Sequence, residues 1–114
     1  MSYEISPHKK FLVEAKRLKK WYRSFNDDLE DFKKSLQENP FQGAELCPGI
    51  RKIRMAIASK GRGKSGGARV ITANAIVAEH EGRIFLLAIY DKEDASTVKL
   101  NVIRKMAREL GFDV

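Results

Sequence analysis

A chain of 114 residues, 43% of them hydrophobic, holds enough material for one packed core and too little for two. One cysteine, Cys47, excludes an internal disulfide framework, and the longest apolar run, residues 84–90, is far short of the roughly 20 residues that span a bilayer. The formal net charge of +7 is unevenly placed. Residues 50–69 carry seven cations (Arg51, Lys52, Arg54, Lys60, Arg62, Lys64 and Arg69) and no acid, whereas residues 1–49 net +1 and residues 70–114 net −1. A polyanion site on a near-neutral scaffold is the reading this concentration supports. The first seven residues lack an apolar signal-peptide core, so a cytoplasmic protein with no membrane association is expected.

In chain order, the first third has helical periodicity. Phe11, Ala15, Leu18, Tyr22, Phe25, Leu29, Phe32 and Leu36 recur in steps of three and four, forming one apolar stripe. Ser24 and Asn26 are good helix N-caps, and Asp27, Asp28, Glu30 and Asp31 crowd the turn that follows, where acids complement the helix dipole. The stripe therefore predicts a helical hairpin, residues 7–22 and 27–38, ended by Asn39-Pro40.

From Gly49 the period changes to two. Ile53, Met55 and Ile57 fall on one side of a strand and Lys52, Arg54 and Ala56 on the other. Residues 68–78 are β-branched and predict a second strand; Glu81-Gly82-Arg83 reads as a turn and residues 84–91 as a third, central strand. Residues 95–110 place Val98, Val102 or Ile103, Met106 and Leu110 at helical spacing before Gly111. The expectation is one α+β domain over residues 1–114. It has an N-terminal helical hairpin, an antiparallel three- to four-stranded sheet and a C-terminal helix, with the helices on one face and the other face open.

Two glycine motifs do not survive their context. Gly61-Arg62-Gly63-Lys64-Ser65-Gly66 matches a dinucleotide fingerprint, and Gly63-Lys64-Ser65 the end of a P-loop. Each motif works by opening a helix onto a phosphate, and here a second glycine and a β-branched strand follow. The tract reads instead as a basic loop in which Lys60, Arg62 and Lys64, on alternate residues, can wrap the phosphates of a polyanion. The alternative is a solvated hairpin loop; the acid-free run that includes Arg51 favours the first. His8 and His80 are far apart and have no ligand spacing around them, so neither a metal nor another cofactor is expected. His8 reads as surface at a helix start, and Cys47 as a small packing residue.

Alternation places Lys52 and Arg54 on one strand face, and Tyr90 and Lys92 on one face of another, while Arg69 opens the strand between. Several cations and a phenol that share a face can hold a phosphodiester and stabilise the added charge of its pentavalent transition state.

Asn39-Pro40 with Gly43, then residues 49–54, 60–71 and 86–93 in that order, resemble the RelE/ParE toxin superfamily, most closely its HigB-like, RelE-type branch. The resemblance implies the toxin of a bacterial toxin–antitoxin module, a ribosome-dependent endoribonuclease (mRNA interferase) that inhibits translation. It cuts mRNA in the A site by attack of a ribose 2′-OH on the adjacent phosphate, without a metal. By position, the resemblance makes Lys52, Arg54 and Arg69 the catalytic cations and Tyr90 or Lys92 the proton donor. Its implied partners are the ribosome, mRNA and a cognate antitoxin of helix-turn-helix or RelB-like type. Two alternatives remain: a ParE-type inhibitor of DNA gyrase and a non-catalytic RNA-binding module. Two departures concern the acid: Thr72 stands where many relatives have tyrosine, and near Val98 the tyrosine of RelE's C-terminal segment has no counterpart.

Overall fold

The computed structural model describes residues 2–61, 63–94 and 99–113. Among them are five strands, β1 (Glu4–Pro7), β2 (Ala44–Cys47), β3 (Ile50–Met55), β4 (Ala68–Ala78) and β5 (Glu81–Asp91), in one sheet of order β1-β5-β4-β3-β2. The helices are α1 (Lys9–Trp21), α2 (Phe25–Glu38), the single turn α3 (Gly63–Gly66) and α4 (Leu100–Glu109), and a 3-10 turn covers Ala58–Lys60.

The helical hairpin lies close to where the stripe puts it. Phe11, Ala15, Leu18, Phe25, Phe32 and Leu36 are buried against Ile53, Met55, Val70, Ile84, Leu86 and Ile89 of the sheet. Each such side chain withdrawn from water contributes on the order of 1.5–3 kcal/mol. Ser24 is the N-cap of α2, but its hydroxyl turns to the Asp28 carboxylate at 2.7 Å. Asp28 in turn accepts the Ala58 N–H at 3.1 Å, so this first-turn acid docks the 3-10 turn onto α2. His8 is not surface. It is buried as the N-cap of α1, and its Nδ1 accepts the Lys10 N–H at 3.0 Å.

The sheet departs from the expected antiparallel arrangement in its edges. β1 pairs in parallel with β5, Glu4 opposite Arg83 through Pro7 opposite Leu86, which makes the sheet mixed. Four residues ending in proline carry too little alternation to announce a strand, and an edge is where proline is tolerated. β2 adds a second short edge, joined to β3 through Gly49 at φ 84°. The β4–β5 turn is Glu79-His80, with His80 at φ 59°, rather than residues 81–83, which already belong to β5.

The helices also do not share one face. Ile103, Met106 and Ala107 of α4 pack with Ile50, Ile71, Ala73, Phe85 and Leu87 on the side of the sheet opposite α1 and α2. Ile103, not Val102, is the buried member of the expected pair, and Val98 lies outside the described residues. The second face is therefore covered over β5 and over Ile50 at the start of β3, and open at Lys52 and Arg54.

Candidate nucleic-acid interface

Register fixes what the open face carries. Lys52 stands opposite Ile71 and Ala44, and Arg54 opposite Arg69. Arg69 in turn stands opposite Tyr90 on β5. Arg54, Arg69 and Tyr90 thus form one row across three strands, with Lys52 two residues along from Arg54 on the same face. Lys52, Arg54, Arg69 and Lys64, with Gln42, Gly43, Ala44 and Leu46, line an open groove of about 760 Å³. Among the described residues four cations and no carboxylate line it, while Asp28 and Asp31 line an adjoining pocket shared with Arg54 and Lys64.

Three elements position these groups. β3 projects Lys52 and Arg54 by simple alternation. Lys64 comes from α3, whose following residue, Gly67, lies directly against β3. A Cβ there would fall 2.0 Å from the Met55 carbonyl oxygen, so only glycine allows the loop to close this tightly. Arg69 is 8% exposed, and its guanidinium donates to the carbonyl oxygens of Ser65 at 3.0 Å, Ala68 at 3.2 Å and Lys64 at 3.3 Å. It holds the basic loop in shape while presenting its charge at the floor of the groove.

Other members of the expected set are used differently. Lys60 is not available to phosphate. Its side chain is 6% exposed, and its Nζ sits 2.7 Å from Asp91 Oδ1 and 5.4 Å from the Tyr22 ring centre. Tyr22 donates its hydroxyl to the other Asp91 oxygen. Burial alone would raise the Asp91 carboxyl, but the bonds from Lys60 and Tyr22 outweigh it and hold the group below its ordinary value. The same bond, aided by burial and by nearby carboxylates, pushes the Tyr22 hydroxyl up to about 12. Arg51 is also structural. Alternation turns it to the other side of β3, where it donates to the carbonyl oxygens of Gln42 and Gly43, both at 2.9 Å, and pairs with Glu45 at 3.4 Å. Charge counting does not separate these two from the groove residues, because the separation depends on partners in other segments.

Tyr90 is half-buried and lines a separate open cavity of about 540 Å³, whose walls mix apolar residues (Val13, Ala88, Val102 and Met106) with the charged Lys10, Glu14, Arg17 and Asp94. Lys92 is exposed just past β5, where its N–H donates to the Gly67 carbonyl at 3.0 Å. Arg62 lies outside the described residues. Gln42, Ala44 and Leu46 are lining residues that the sequence does not single out, because they come from β2 and the turn before it. Among the described residues, no three His, Cys, Asp or Glu side chains gather as a metal site would require, and no helix is long and apolar enough to cross a membrane.

No family model matches the chain. Among solved structures it is similar to a mutant of the E. coli toxin RelE in the free state, at a TM-score of 0.58 and 16% identity, over 98% of this chain and 100% of that one. The fold is RelE-like.

Proposed function

We propose that this chain is the toxin of a type II toxin–antitoxin module and a ribosome-dependent endoribonuclease of the RelE/HigB kind. The observation that carries the reading is the acid-free groove on the open sheet face, built from Lys52, Arg54, Lys64 and Arg69. The RelE-like fold supports it, since that similarity spans nearly the whole chain.

In this reading the groove takes the phosphodiester of an mRNA held in the A site. The ribose 2′-hydroxyl gives its proton to solvent water as its oxygen attacks the adjacent phosphorus, and the bond to the 5′-oxygen breaks. The products are a 2′,3′-cyclic phosphate and a 5′-hydroxyl. Negative charge builds on the phosphoryl oxygens in the transition state, where fixed cations are worth more than in the ground state. Lys52 and Arg54 supply that stabilisation from the strand, and Lys64 holds the neighbouring phosphate. Arg69 adds its charge from below and keeps the loop in place. Tyr90 is the proton donor to the leaving 5′-oxygen. Tyr3 and Tyr22 belong to the core on the far side of the sheet, which leaves Tyr90 as the phenol of this face. Lys92 borders the same end of the sheet as a phosphate contact. The ribosome orders the mRNA, and an antitoxin that covers the groove silences the activity.

The test is cleavage of mRNA on programmed ribosomes, with a matched message carrying a 2′-deoxy nucleotide at the attacking position. Cutting of the natural message and none of the deoxy message supports the reading. Cutting of both overturns the 2′-OH route. Supercoiling inhibition of purified gyrase without RNA cleavage would assign the chain to the ParE-like alternative.

A further inference from the structure

We infer that Asp91, with Lys60 and Tyr22, is a positioning cluster for the groove: from the back of the sheet it holds the basic loop and the end of β5 at a fixed spacing. The inference rests on the proposed endonuclease function. Asp91 follows Tyr90 on β5 and stands opposite Ala68, the neighbour of Arg69 in the groove floor. Successive strand residues face opposite sides, so the Asp91 carboxylate lies behind the row that Arg54, Arg69 and Tyr90 form. There its Oδ1 is 2.7 Å from Lys60 Nζ and accepts the Glu93 N–H at 3.1 Å, while its Oδ2 accepts the Tyr22 hydroxyl. The Glu93 carboxylate stands 4.0 Å from the same ammonium, and the Tyr22 ring centre 5.4 Å from it.

Three successive residues enter the basic loop already anchored. Ala58 donates its N–H to Asp28 at 3.1 Å, Ser59 donates its own to the Ser24 hydroxyl at 2.9 Å, and Lys60 makes the ion pair. The anchors gather at the corner between α1 and α2, because Tyr22 caps the end of one helix and Ser24 the start of the other. Gly61, at φ 68°, then turns the chain away, and Lys64 follows within one turn of backbone. The far end of the loop is fixed to the same strand end. There the Lys92 N–H, one residue past Asp91, donates to the Gly67 carbonyl at 3.0 Å. One carboxylate thus joins the strand that carries Tyr90 to the stem of the loop that carries Lys64.

Stability alone does not require an ion pair here. The Lys60 and Asp91 side chains are 6% and 10% exposed, and two charges withdrawn that far recover little more than their desolvation cost. Apolar side chains of similar volume would hold the same elements together about as well. What they would lack is direction. The carboxylate takes donors from three segments (Lys60 from the loop, Tyr22 from the helix corner, Glu93 from the turn after β5), and it admits one arrangement of them. Burial pushes the Asp91 carboxyl up, but these bonds more than offset it, so the carboxylate stays charged at neutral pH and the arrangement persists. The groove depends on such precision. Its rate follows from where Lys64 and Tyr90 stand against the RNA backbone, and a misplacement of about 1 Å costs on the order of 10²-fold. Asp91 touches no substrate and acts through those two residues.

The experiment compares wild type with Tyr22→Phe and with the apolar exchange Lys60→Met/Asp91→Leu, in thermal melts and in mRNA cleavage on programmed ribosomes well below each melting point. The exchange should melt close to wild type, because neither charge is left buried alone. Its kcat should nevertheless fall by about tenfold or more with KM little changed, and Tyr22→Phe, which keeps the ion pair, should show a smaller fall in kcat. A folded exchange that cuts with the wild-type kcat overturns the inference and leaves the cluster a stability element only. An effect confined to KM overturns it too, since lost affinity is not lost positioning. If the exchange does not fold, Tyr22→Phe decides: a reduced kcat upholds the inference and an unchanged one rejects it. If wild type does not cut on ribosomes, the functional reading fails separately. The positioning is then judged by hydrogen exchange of the Lys92 amide, which the Gly67 carbonyl protects. Faster exchange in a folded variant upholds it, and an unchanged rate rejects it.

Discussion

Replacing Asp91 by Asn takes from the buried Lys60 ammonium its nearer counter-charge, at 2.7 Å, and leaves it the Glu93 carboxylate at 4.0 Å. Breaking a buried pair from one side costs about 3 kcal/mol or more. The expected outcome is a denaturant midpoint lowered well beyond that of an exposed control such as Arg104→Ala. The pair also sets a pH window. Asp91 titrates below its unfolded value when folded, so its contribution is complete above the unfolded value and fades as pH falls through the folded one. Tyr22 titrates above its unfolded value of 10, so its contribution is complete below 10 and is lost as pH climbs through about 12. Urea melts of wild type and Tyr22→Phe as a function of pH check this: the alkaline loss should shrink in the variant. At the neighbouring cavity, Tyr90→Phe keeps the ring in place and removes the hydroxyl proton. If Tyr90 protonates the leaving oxygen, kcat falls by about 10²-fold or more with KM little changed.

At the scale of elements, the glycine tract that imitates two nucleotide motifs is explained by contact with β3. Gly67→Ala drives a methyl group into the Met55 carbonyl, at the core of the loop closure. A loss of roughly 1–3 kcal/mol or more follows, together with reduced cleavage as Lys64 shifts. Gly43→Ala adds a steric clash with the Lys52 carbonyl, 2.3 Å from the new Cβ, to a backbone at φ 81°. Thermal melts of the two variants check both. The two long helices and three long strands are legible in the sequence because each buries one face and repeats with its own period. β1 and β2 are not, since four residues at a sheet edge bury too little to leave a pattern. The face occupied by α4 is equally hidden: periodicity says which side of a helix is buried but not which sheet face buries it. Lys52 and Arg54 are legible as a pair because alternation alone puts them on one side. The fate of Lys60 depends on Asp91, 31 positions away, and no local pattern carries that information.

For the whole molecule, charge is segregated by element rather than spread. The α2 acids are spent partly on docking, through Asp28, while α1, packed on the same sheet face, is positive. The sheet presents its own cations on the other side, at Lys52 and Arg54 beyond the part of β3 that joins the α4 cluster. If the groove takes phosphates as proposed, cleavage should weaken steeply with salt, as its cations exchange counterions for phosphates. The most direct test of the central claim, that the acid-free groove holds and activates the scissile phosphate, is the single-turnover rate of mRNA cleavage on saturating ribosomes by Lys52→Ala/Arg54→Ala. Both side chains leave the core intact, so the variant should melt like wild type while its rate falls by about 10³-fold or more. A folded variant that cuts at the wild-type rate would contradict the account.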